Sequence, residues 1–240
     1  MFRPPFLCPT FAYDRRMGIE AAVEAALSRN NVAEAHRLLI ESARNGDGSA
    51  AFQLGLWFLT GQLVRRDLGQ SRSYFGEAAA AGHERSRMIH AALLAVGIGG
   101  PRQWQEALGE LRRAEPQIPQ AKAELRLIER MEIDEEGDPL SPSALEKVSD
   151  SPKVSWARSL FSPDECEFLR QIATPYLNAS MIVDPASGQM RADPIRTSEA
   201  AIFPWIDETP FIHALNRRIA AASTTAVEEG EPLQVLRYSP

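Results

Sequence analysis

One internal periodicity constrains this chain more than any other feature. Compared with itself at an offset of 36 residues, the sequence sets Gly46 on Gly82, Gly61 on Gly97, Ala43 on Ala79 and Leu39 on Phe75. A further step sets Phe75 on Leu111 and Ala78 on Ala114. Four loops punctuate the pattern: Asn45-Gly46-Asp47-Gly48, Gly61 to Asp67, Gly82-His83 and Gly97 to Pro101. Between them the apolar spacing is helical, as in Ala35, Leu38, Leu39 and Ala43. The run Phe52, Leu54, Gly55, Trp57, Phe58, Leu59 is apolar on most sides, which predicts a helix packed between two others. Gly55, Ala78 to Ala81 and Ala91-Ala92 are small enough to let helices approach closely. Each unit is thus a helix pair, and only stacked pairs bury a continuous core. A plain helical bundle with coincident glycine spacing is the alternative.

The stretch from Ala51 to Gly61, then Asp67 to Ser71, Phe75 and Ala78 to Gly82, resembles the Sel1-like repeats, relatives of the tetratricopeptide repeats. The resemblance covers about residues 16–130, and its third unit departs from the pattern at Gly99-Gly100-Pro101-Arg102. It implies an α/α solenoid that offers an interaction surface to a protein or peptide partner.

Composition excludes several other classes. Hydrophobic residues are 44% and charged residues 24%, ordinary for a globular protein, and no run approaches the ~20 apolar residues of a membrane helix. Three prolines interrupt Met1 to Pro9, so no signal peptide and no membrane association are expected. Cys8 and Cys166 are far apart and read as free thiols, which fits a cytoplasmic protein. The net charge of −6 is concentrated: Glu132, Asp134, Glu135, Glu136, Asp138, Glu146 and Asp150 face one base, Lys147. No basic face is left to hold a nucleic acid. With Pro139, Pro142, Pro152 and several serines, residues 131–153 read as an acidic linker, or else as an acidic loop packed on a neighbouring domain.

Residues 154–240 have a different texture. Ser162-Pro163-Asp164-Glu165 predicts a helix start, with Ser162 as cap, Pro163 in the first turn and Glu165 completing a capping box. Cys166, Leu169, Ile172 and Ala173 mark an apolar face of that helix, which ends near Pro175. Met181-Ile182-Val183 is β-prone and runs into the turn signal Asp184-Pro185-Ala186-Ser187-Gly188. A second extended stretch is expected around 195–203, a helix over 210–222, and a strand at Leu233 to Tyr238.

In that order, Leu160 to Cys166, Val183-Asp184-Pro185, Arg196-Thr197-Ser198, Leu215 to Ile219 and Glu231 to Tyr238 together resemble the leading half of the prolyl 4-hydroxylase α-subunit-like oxygenases. The fold then expected is α+β: residues 1–15 as a tail, the repeat solenoid at 16–130, the linker at 131–153, and at 154–240 an incomplete double-stranded β-helix, or jelly roll. The family uses Fe(II), 2-oxoglutarate and ascorbate, and hydroxylates chiefly peptidyl proline. The resemblance implies that Tyr238 binds 2-oxoglutarate through its hydroxyl. It also implies that Arg196 and Ser198 lie in a loop closing over substrate, and that Glu231 borders the substrate groove. On the residues alone, a strand-end core tyrosine, a surface arginine and a plain core role for Trp205 stay open.

The family's His-x-Asp pair would follow Tyr238, whereas these residues end at Ser239-Pro240. His36, His83, His90 and His213 have no acid two positions on and read as structural. No catalytic or metal-binding residue is therefore expected among these 240, and these residues alone are not expected to turn over substrate. The alternative reading is an interaction scaffold carrying a vestigial oxygenase segment. Small-molecule hydroxylation stays open as a third. The strand at 233–238 is expected to be an unpaired apolar edge, residues 154–240 to fold poorly alone, and residues 16–130 to fold independently.

Overall fold

The computed structural model describes residues 19–179, 181–184, 187–192 and 198–238. Seven helices come first: α1 Ile19–Ser28, α2 Val32–Arg44, α3 Gly48–Thr60, α4 Leu68–Ala80, α5 Glu84–Val96, α6 Trp104–Ala114 and α7 Pro119–Ile128. Each packs on the next in sequence, the nearest-neighbour pattern that the 36-residue period predicts. The loop residues singled out by that period do specific work at the helix ends. Asp47 and Asp67 accept hydrogen bonds from the first free N–H groups of α3 and α4, and Nδ1 of His83 does the same for α5. Burial, helped by Arg85, lowers the His83 pKa, so the ring stays neutral and able to accept. One repeat apart, Gly61 and Gly97 close α3 and α5 in the left-handed conformation. Gly55 marks the closest helix approach: a β-carbon there would lie 2.9 Å from the Phe75 ring.

Within residues 131–153, the turn at 133–139 packs on the protein, while most of 140–153 is exposed. Ile133 and Pro139 bridge across a tight turn in which the Asp134 carboxylate accepts from the N–H groups of Glu136 and Asp138, both at 2.9 Å. Asp138 pairs with Arg102 at 3.1 Å and with Arg217, and Gln105 donates to the Glu135 carbonyl at 2.6 Å. One of the acids, Asp138, thus finds arginines from both sides of the turn, while Glu132, Glu135 and Glu136 stay exposed. Its second half forms a hairpin of β1 Leu145–Asp150 and β2 Lys153–Ala157. Trp156 on that hairpin donates to Glu146 at 2.9 Å, and Arg158 lies over its ring.

The C-terminal elements are α8 Pro163–Ala173, β3 Asn178–Ala179, β4 Met181–Val183, β5 Met190–Ala192, β6 Glu199–Phe203, α9 Pro210–Ser223 and β7 Leu233–Arg237. The capping box at Ser162 and Glu165 forms as read. Helix α8 departs from the expected face, because Cys166 is exposed while Phe168 and Glu165 are buried. The turn after β4 forms as read, with Gly188 donating to the Asp184 carbonyl, but β4 pairs with β5 at 190–192; the extended stretch expected around 195–203 supplies β6, which pairs with β3 and β7 instead. Pro185 and Ala186 of that turn lie outside the described residues. The remaining strands make an antiparallel sheet in the order β3-β6-β7. What stands among the described residues is thus α+β, a helical array beside small antiparallel sheets. Strand β7, expected to be unpaired, is bonded to β6 along its whole length from Phe203↔Leu233 to Glu199↔Arg237.

Three apolar clusters form the interior. One joins Val23, Leu39, Leu54 and Trp57 of α1–α3, and a second joins Leu59, Phe75, Ile89 and Leu93 of α3–α5. The largest runs without a break from Trp104, Leu111, Leu125 and Ile128 of the repeats into Phe168, Phe203, Phe211 and Leu215 of the C-terminal part. Helix α9 packs directly on α5, α6 and α7. The anticipated separation into an independent array and a second domain is therefore absent from the packing. Trp205 and Ile206 join the second cluster, against the repeats, which bears out a packing role for Trp205.

Candidate functional site

Of the residues expected to carry cofactor and substrate, Ser198, Glu231 and Tyr238 lie just beyond the ends of strands in the sheet β3-β6-β7. Alternation along the strands gives this sheet two unlike faces. Ala201 and Phe203 of β6, with Leu233 and Val235 of β7, point into the core against α8 and α9. Ile202 and Leu236 stand on the other face, exposed. Helices α8 and α9 brace the inner face. Phe168 meets Phe211 edge-on at 5.1 Å, and Glu165 receives both guanidinium nitrogens of Arg218, at 2.9 and 3.0 Å. Glu165 also bonds the Ser162 N–H at 2.7 Å, so one buried carboxylate caps α8 and ties it to α9.

The register of β6 and β7 decides which predicted residues meet. Glu199 lies opposite Arg237 and the two form an ion pair, with Nε to Oε2 at 2.6 Å. One residue further, the same register sets Ser198 abreast of Tyr238. Ser198 is buried, and Tyr238, just past the end of β7, is 69% exposed. Among the described residues, nothing covers the Tyr238 ring as it would cover a core tyrosine. Glu231 is exposed before the other end of β7, about 20 Å from Tyr238 for an extended strand. The sheet thus places Ser198 and Tyr238 beyond the same end, next to the Glu199–Arg237 pair, and leaves Glu231 at its far end. Arg196 lies outside the described residues.

Among the described residues, no group of three or more His, Cys, Asp or Glu side chains is placed to hold a metal. The four histidines have other tasks. His36 stacks on Trp57, His83 caps α5, and His90 faces Glu110 at 3.5 Å. His213 is buried in α9 with Nδ1 at 2.7 Å from Glu208 Oε1. The described residues do not compose an iron site, and no iron chemistry is assigned to them.

Sequence reasoning missed the residues that hold the sheet in place. Arg218 stood in the sequence only as part of the Leu215 to Ile219 motif, with nothing to tie it to Glu165, which the capping box had marked. Arg217, 2% exposed, reaches the Glu136 carbonyl and Asp138 across the acidic turn. The Glu199–Arg237 pair could have been found only by registering β6 against β7.

Comparison with known proteins adds the family context. The chain is 40% identical over 96 residues to Prolyl 4-hydroxylase 1 of Arabidopsis thaliana, a match spanning 40% of this chain and 34% of that protein. It is 31% identical over 104 residues to Probable prolyl 4-hydroxylase 10 of the same plant, covering 43% of this chain and 35% of the relative. It is 29% identical over 101 residues to Prolyl 4-hydroxylase subunit alpha-1 of Rattus norvegicus, covering 41% of this chain and 18% of the relative. The chain thus spans about a third of the length of the plant relatives and less of the rat one. A Sel1 repeat protein from Oxalobacter formigenes aligns in structure with a TM-score of 0.37 at 27% identity, over 39% of each chain. No family model matches the chain. Over about 40% of its length, then, the chain is homologous to prolyl 4-hydroxylases.

Proposed function

We propose that this chain is part of an Fe(II)- and 2-oxoglutarate-dependent dioxygenase of the prolyl 4-hydroxylase type, with a peptidyl proline or a similar residue as its substrate. The single observation carrying this reading is the 40% identity with a plant prolyl 4-hydroxylase. In this reading β6 and β7 are leading strands of a jelly roll, and the exposed face with Ile202 and Leu236 lines its interior. Tyr238, exposed at the end of β7, binds a carboxylate of 2-oxoglutarate by donating its phenolic hydrogen. Arg196, Ser198 and Glu231 belong to the substrate side. Iron supplies the oxidising chemistry when bound and is held by residues other than the described ones. Arg237, held by Glu199, fixes the direction in which β7 delivers Tyr238.

The repeats offer a protein-interaction surface, and their fusion to α9 holds that surface at a set orientation to the oxygenase part. A partner docked on the array would then present its proline from one direction. A cytoplasmic location completes the reading and rests on the free-thiol pattern of the sequence.

The test is an assay of the full-length protein containing these residues, supplied with Fe(II), 2-oxoglutarate, ascorbate and a proline-containing peptide. Succinate release that depends on the peptide, with one oxygen gained on proline, is the expected result. Absence of both in the iron-loaded protein would overturn the proposal. Tyr238→Phe in the same protein should raise the KM for 2-oxoglutarate about tenfold, the loss of one hydrogen bond to a charged group, and change kcat less.

A further inference from the structure

Glu124 is the most deeply placed ionisable group of the joint between the repeats and the C-terminal part. It sits on α7, which packs against α9, and its side chain is fully buried. One carboxyl oxygen, Oε1, accepts from Gln120 at 2.8 Å. The other, Oε2, is buried without a hydrogen-bond partner, and so is the hydroxyl of Thr209 at the start of α9. Thr209 occupies the cap position of α9, yet its hydroxyl makes no cap bond, and its side chain is close enough to act on Glu124. Two orphaned polar atoms thus face the same joint from its two sides.

Among the described residues, no counter-ion is turned toward this carboxyl. On α9 and the turn before it, Glu208 is taken by His213 and Asn216, Arg217 by Asp138, Arg218 by Glu165, and Asp207 is exposed. On α6, Glu110 is engaged by Arg87, His90 and Arg113, while Glu106 and Arg112 are exposed. On α7 itself, Lys122 pairs with Glu115, and Arg126 and Glu129 are exposed. A carboxylate in such a place is a buried charge without compensation, whereas the neutral acid is a hydrogen-bond donor beside an unused hydroxyl.

We propose that Glu124 is a proton-dependent fastener of this joint: as the neutral acid it lets α7 seat against the start of α9 and closes the helical array onto it, and ionised, its uncompensated buried charge loosens that contact. Burial pushes its pKa up from 4.5 to about 7, against the smaller opposing effects of Gln120 and Thr209. The sign follows from linkage. Between pH 4.5 and 7 the folded chain holds a proton that the unfolded chain has released, so stability is greatest below that window and falls as pH rises through it.

Urea unfolding of the full 240-residue chain from pH 5.5 to 8.5, set against Glu124→Gln, isolates the effect from other titrating groups. The folding equilibrium constant of the wild type is expected to fall roughly thirtyfold more than that of the variant over this range. Parallel pH dependences would overturn the proposal. Hydrogen exchange on the wild type needs no variant and locates the change. Corrected for intrinsic rates, amides of α7 and of the first turns of α9 should lose protection between pH 6 and 8, while those of α3 keep theirs. A uniform loss along the chain, or none, would also sink it.

Discussion

Gly137 shows how one residue decides whether the acidic turn packs. Its φ is +77°, and a β-carbon there would lie 2.5 Å from the Trp104 ring, itself 2% exposed. Gly137→Ala therefore meets left-handed strain and a rigid core ring together, and is expected to lower stability by about 2–4 kcal/mol, measured by urea unfolding. Arg217 closes the same turn from the other side. Arg217→Met keeps the stem but leaves the Glu136 carbonyl and Asp138 without their buried partner, and should remove about 2 kcal/mol, moderated because Asp138 remains half exposed. Neither residue stood out in the sequence. The acids of 132–138 were visible as charge, but Arg102 and Arg217, the partners of Asp138, lie far away along the chain. A local reading had no means of neutralising it. Glu124 was hidden for the opposite reason: on a helix of mixed polarity, an acid is ordinarily assigned to the solvated side.

Among the elements, α8 was the most legible because its start is specified locally, by Ser162, Pro163 and Glu165 within four consecutive positions. The sequence could not show that Glu165 serves two elements. Ser162→Ala should cost about 1 kcal/mol, the usual loss of a cap. Glu165→Ala should cost more, about 3 kcal/mol, because it also strands the Arg218 guanidinium that reaches it from α9. Equal losses in the two variants, measured by chemical denaturation, would show that the tie to α9 contributes nothing. The repeat helices were legible for a related reason: their caps and closing glycines recur at a fixed spacing. The sheet was less so, since register is set by pairing partners remote in sequence. Of the candidate site residues, Tyr238 follows directly on β7, the strand that the alternation of 233–238 marks, while the burial of Ser198 had no local sign in the sequence.

For the whole molecule, the continuous cluster from Trp104 through Leu125 to Phe211 and Leu215 alters the expected behaviour of fragments. Residues 16–130 alone would expose the faces of α5, α6 and α7 that cover α9. They are expected to melt below the full chain, with the loss concentrated in α5–α7, and a melting temperature equal to that of the full chain would contradict the shared core. For its part, α9 without the array would turn Phe211, Ile212 and Leu215 to water, so residues 154–240 alone should aggregate. The repetition in the sequence suggests modules that can be exchanged at the end of the last repeat. The packing puts the seam elsewhere. A chimera cut after residue 153 would sever the Arg217–Asp138 contact and bare the interior. A graft that starts near His83, where α5 is capped, would carry α5–α7 and the acidic turn along with α9. For anyone transplanting this C-terminal part onto a foreign scaffold, the last three helices of the array travel as cargo.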